Sequence, residues 1–113
     1  MKKKSALFIL SVLLVAAAAR TGALLGGWTP IKDLNDPHVK EIGQFAVAEY
    51  NKQSKADLKF QSVVKGESQV VAGINYRLIL TAIDGTATNK YEAVVWEKSW
   101  EHFRNLTSFK PVK

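Results

Sequence analysis

The spacing of apolar residues changes once along this 113-residue chain, across the polar stretch Asn51 to Asp57, and that single change limits what the chain can fold into. Before it, Val39, Ile42, Phe45, Ala46 and Tyr50 recur three or four apart, one stripe of an amphipathic helix with Lys40, Glu41, Gln44 and Lys52 off it. Asp36-Pro37 starts this helix, because the carboxylate can cap free N–H groups and proline gives up none that mattered. The stripe ends near Asn51. Gly43 lies beside it and weakens the helix by roughly 1 kcal/mol relative to alanine, a cost that a closely packed strand would explain. After the change the period is two. Leu58, Phe60, Ser62 and Val64 alternate with Lys59, Gln61 and Lys65, and Ile74, Tyr76, Leu78, Leu80 and Ala82 alternate with Asn75, Arg77 and Thr81. Asp84-Gly85-Thr86 marks a turn, Tyr91 to Lys98 a third run and Phe103 to Phe109 a fourth, with Trp100 in the connection between the last two. Four consecutive strands form an antiparallel meander, and one helix covers its apolar face. The fold class is α+β in two layers.

Lys2, Lys3 and Lys4 precede the run Ala6 to Ala19, which is apolar except for Ser11 and ends in four alanines before Arg20. This order of charge, apolar core and small residues predicts a secretory signal peptide over residues 1–19, cleaved between 18 and 23; the fourteen residues of the run fall short of the roughly 20 that span a bilayer. The remaining residues, 20–113, suffice for one domain with a single core. Without the leader the domain holds thirteen basic and ten acidic side chains, so the net charge of +6 falls to +3 and no basic stripe for nucleic acid remains. The domain is expected to be secreted, free of membrane and monomeric. It has no cysteine, which excludes disulfides, thiol nucleophiles and thiolate metal sites. His38 and His102 are far apart in sequence and bring no ligand cluster with them, so neither a metal nor any other cofactor is expected.

Gln69-Val70-Val71-Ala72-Gly73 falls between the first two strand runs, where Gly, Asn, Asp or Ser would ordinarily turn the chain. Two adjacent valines at a hairpin tip call for burial against a partner; periodicity alone leaves open a core strand that runs straight through.

These five residues resemble the Gln-Val-Val-Ala-Gly signature of the cystatins, tight-binding inhibitors of papain-like cysteine proteases. Ile42-Gly43-Gln44-Phe45-Ala46-Val47-Ala48-Glu49-Tyr50-Asn51 resembles the helix signature of the plant members, and the absence of cysteine is also plant-like. Gly26-Gly27 and Trp100 complete an ordered set that covers about residues 26 to 109. The resemblance implies a helix packed across a four- to five-stranded antiparallel sheet, and a reversible, competitive inhibitor whose contacts with the protease are Gly26, Gly27, Gln69, Val70, Val71, Ala72, Gly73 and Trp100. No residue does chemistry, and one inhibitory site is expected. One position departs from the pattern: Ser99 stands where family members usually place proline ahead of the tryptophan, which loosens the second loop without changing its contact chemistry.

The remaining candidates read as structural. Trp28 and Trp96 are assigned to packing, Glu49 to the polar border of the helix, and His38 and His102 to solvated or hydrogen-bonded positions. Asn105-Leu106-Thr107 is a glycosylation sequon within a strand. A secreted small-ligand-binding module on the same fold is the alternative, and it would need a concave pocket. A hydrolase would need an ordered triad or nucleophile elbow, and none can be read.

Overall fold

Asp36 accepts a hydrogen bond from the backbone N–H of His38 at 2.9 Å, Pro37 occupies the first turn, and helix α1 (Pro37–Ser54) begins where that cap sets it. This is a computed structural model, and it describes residues 27–113. The leader expected at residues 1–19, its expected cleavage site and Gly26 lie outside the described residues. The helix runs three residues past the expected end. Asn51 does not stop it, because its side chain serves another purpose: Nδ2 donates to the Leu58 carbonyl and Oδ1 accepts from the Leu58 N–H, each at 2.9 Å. The last helical turn is thereby tied to the start of the sheet, and Lys55, at a left-handed φ of 61°, closes it.

Five strands follow one another in space as in sequence: β1 (Thr29–Pro30), β2 (Lys59–Val71), β3 (Gly73–Asp84), β4 (Ala87–Lys98) and β5 (Phe103–Pro111), all antiparallel. The two-residue β1, which no periodicity announces, pairs Thr29 with Ser68 and Pro30 with Glu67. Val39, Ile42, Ala46 and Val47 of α1 pack on Leu78, Leu80, Ala82, Tyr91, Ala93, Val95 and Leu106, and this is the core. Gly43 is buried at the closest approach of helix to sheet, where a Cβ would stand 2.7 Å from the Phe60 ring. The expected strand is there.

The strict alternation expected for the first run fails at Val64, which is 43% exposed. β-Bulges interrupt the β2–β3 register between Phe60 and Ser62 and again between Val63 and Lys65. Each extra residue shifts the phase, so Val63 rather than Val64 faces the helix beside Phe60.

Candidate functional site

In an antiparallel meander successive connections alternate between the two ends of the sheet. The β2–β3 tip and the β4–β5 connection therefore share one end, and the β3–β4 turn occupies the other. β1 enters at the same end as the tip: it runs antiparallel to β2 with Thr29 opposite Ser68 and Pro30 opposite Glu67, so the chain before Thr29 lies towards Gln69 and the tip. Among the described residues the large apolar side chains left exposed are Val64, Val70, Val71 and Trp100, and three of these four lie at that end.

The first hairpin turns in the space of one residue. Val71 pairs with Gly73, leaving Ala72 alone at the apex. Gly73 has φ +96°, and a Cβ on it would lie 2.3 Å from the Glu97 carbonyl oxygen, so both the turn and the contact with β4 require glycine. Asn75 Nδ2 donates to Gln69 Oε1 at 3.3 Å across the strands. The apex itself is held from β4, where Trp96 Nε1 donates to the Ala72 carbonyl at 2.7 Å. Trp96 was assigned to packing by sequence, and it does stack edge-on against Phe103, but its indole N–H also fixes the height of the tip. Its place opposite Asn75 in the register, on the outer face, is the signal that could have marked it.

Trp100 sits in a single 3-10 turn, Ser99–Glu101, between β4 and β5. His102 closes this turn at a left-handed φ of 50°, donating its N–H to the Ser99 carbonyl. Glu101 receives the Trp100 Nε1–H at 3.2 Å and the Lys98 ammonium at 3.2 Å, which restrains the loop where the proline is missing. Val70, Val71 and Ala72 of the first loop and Ser99 and Trp100 of the second line a groove of about 340 Å³ between the two tips.

Trp28, likewise assigned to packing, stacks on the Arg77 guanidinium 4.3 Å from the ring centroid, and Glu67 holds that guanidinium with its Nε at 2.9 Å. The segment from Gly27 into β1 is thus anchored one residue behind the glycine. Gly27 is exposed.

Behind the groove, a polar cluster centred on the buried Glu97 locks helix to sheet. Glu97 accepts from Arg104 Nε at 2.8 Å and pairs with His38 Nε2 at 2.7 Å, while Arg104 also reaches Glu41. Burial alone would raise the Glu97 carboxyl, and it is the largest single effect; the hydrogen bonds and charges of His38 and Arg104 together outweigh it and leave the group below its usual range. Burial, reinforced by the nearby Glu97 charge, pushes the Tyr76 phenol up. The same cluster lines a second hollow of about 620 Å³, with Phe45, His102 and Phe103. Three of its polar groups, His38, Glu97 and Arg104, are engaged through Glu97. Among the described residues no group of three His, Asp or Glu side chains could hold a metal ion.

One helix across a five-stranded antiparallel meander is the cystatin fold. A salivary cystatin from the soft tick Ornithodoros moubata superposes with a TM-score of 0.65 at 22% identity, over 77% of this chain and 97% of that one. The chain belongs to the plant cystatin family of cysteine proteinase inhibitors, whose members are not enzymes. It is 55% identical to cysteine proteinase inhibitor 5 of Arabidopsis thaliana over 106 residues, covering 93% of this chain and 87% of that protein. It is 59% identical to cysteine proteinase inhibitor 1 of Actinidia chinensis var. chinensis over 87 residues, 77% and 75% of the two. A family model described as SQAPI, aspartic acid proteinase inhibitor, matches residues 31–112. The solution structure of the squash aspartic acid proteinase inhibitor has a TM-score of 0.61 at 29% identity, over 77% of this chain and 94% of that one.

Proposed function

We propose that this protein is a reversible, competitive inhibitor of papain-like cysteine proteases that enters the active-site cleft with Gly26-Gly27, the Gln69–Gly73 tip and Trp100. One observation carries the reading: Val70, Val71 and Trp100, 62%, 39% and 64% exposed, stand together at one end of a rigid sheet with a groove between them. Exposed apolar side chains at hairpin tips cost solvation in the free protein and gain it on burial in a partner. The strands, the Trp96 bond and the Glu101 contacts hold the loops in place beforehand, so docking orders little. Inhibition is occlusion by a single copy of the domain, with no covalent step. The leader of residues 1–19 directs the domain to the secretory pathway.

The aspartic-protease description of the matching family model makes target class the first thing to measure. Increasing inhibitor is titrated against a papain-like enzyme and against pepsin, each with a peptide substrate. The expected outcome is stoichiometric loss of the papain-like activity, an apparent Ki that rises with substrate concentration, and untouched pepsin. Loss of pepsin activity alone would overturn the reading.

A further inference from the structure

We propose that Asn105 is an N-glycosylation site whose innermost sugar packs on the aromatic pair Phe103 and Trp96. The sequon Asn105-Leu106-Thr107 lies on β5, the last strand of the sheet, with no further strand beyond it among the described residues. Strand alternation resolves the conflict a sequon in a strand ordinarily raises. Leu106, the middle residue, is 9% exposed and anchors the core, while Asn105 and Thr107 are exposed. Thr107 is the extra residue at the β4–β5 register shift, and its hydroxyl donates to the Val94 carbonyl at 3.1 Å. A branched sugar on Asn105 therefore points away from every core contact.

The outer face beside it carries aromatic surface. Asn105 pairs directly with Trp96, and Phe103, two residues back on the same strand, shares its face. The two rings meet edge-to-face at 5.4 Å and remain partly exposed, with the Lys98 ammonium 4.8 Å from both centroids. The apolar C–H face of an N-acetylhexosamine stacks on aromatic surface of this kind, which is enriched where one side is apolar and the other wet. The transfer itself draws on a lipid diphosphate-linked oligosaccharide of the secretory lumen. The amide Nδ2 of Asn105 attacks the anomeric carbon, the N–C bond forms, the C–O bond to the diphosphate breaks, the diphosphate leaves with the electron pair, and the amide nitrogen loses one proton.

The full chain is expressed in a eukaryotic secretory host alongside Asn105→Gln. The expected product carries the mass of one N-glycan, absent from Asn105→Gln and removed by peptide N-glycosidase. Trimming with an endoglycosidase to a single N-acetylglucosamine should preserve a rise of about 3 °C in unfolding midpoint over Asn105→Gln, because only the first sugar touches the rings. In Phe103→Ala the glycosylated and fully deglycosylated forms should unfold at the same temperature as each other, although both lie below wild type. Wild-type protein at its unmodified mass overturns the site, and a rise undiminished in Phe103→Ala overturns the packing.

Discussion

At the scale of single residues, the proposed contacts fall on exposed side chains whose contribution in the free protein is small. Val71→Asp should leave the domain folded, because the side chain meets water, and should cost inhibition several kcal/mol, because a carboxylate would be buried unpaired in the cleft. A melted variant whose folded remainder still inhibits would identify the valine as core instead. Trp100 is the larger of these exposed side chains. Trp100→Ala should weaken affinity by about 2 kcal/mol, mostly through faster dissociation measured by surface plasmon resonance. Ser99→Pro should act in the opposite sense. Lys98 is extended and Ser99 opens the 3-10 turn, a conformation whose φ lies near the value the proline ring imposes, so the loop should lose less freedom on docking. Slower dissociation with an unchanged association rate is the expected signature.

At the scale of elements, the hairpins are only as good as what holds them. Trp96→Phe keeps the ring against Phe103 and deletes the bond to the Ala72 carbonyl, so stability should fall by less than about 1 kcal/mol while inhibition weakens tenfold or so through a wandering tip. Equal inhibition by the two forms would show that the strand pairing alone fixes the apex. Deleting the chain through Gly27 should weaken inhibition and leave the melting temperature nearly unchanged, since β1 and the Trp28–Arg77 stack remain. The helix, the four long strands and the two loops were legible in the sequence because each rests on a local pattern: a cap, a period or a turn. What escaped it depends on two strands at once. The β2 bulges that turn Val64 outward arise from pairing with β3, the brief β1 from pairing with β2, and the reach of Trp96 to Ala72 spans 24 residues of chain. The three extra residues of α1 were hidden because Asn51, where the apolar stripe ends, is satisfied only once Leu58 arrives. For the contact set, the sequence named which residues stand at the tips but not the tryptophans and acids that hold them there.

At the scale of the whole molecule, Glu97 joins the parts. Its side chain ties α1 through His38 to β5 through Arg104, and its carbonyl limits Gly73 at the base of the first loop. Because the folded carboxyl titrates below its ordinary range, its contribution is fully present above that range and is lost as pH falls through the depressed value. Thermal unfolding followed from about pH 7 down to about pH 2 should therefore show wild type and Glu97→Gln converging in acid and separating towards neutrality. Curves that stay parallel would remove Glu97 from the acid limb. The meander's parity has a practical corollary. The exposed Val70, Val71 and Trp100 lie at one end, and the β3–β4 turn lies at the other, where Gly85 at φ +65° has no neighbour within 4 Å of where a side chain would begin. A fluorophore, an affinity handle or a second domain grafted there would sit at the end of the sheet away from both loops, so the molecule could be immobilised in a fixed orientation with the two loop tips presented outward.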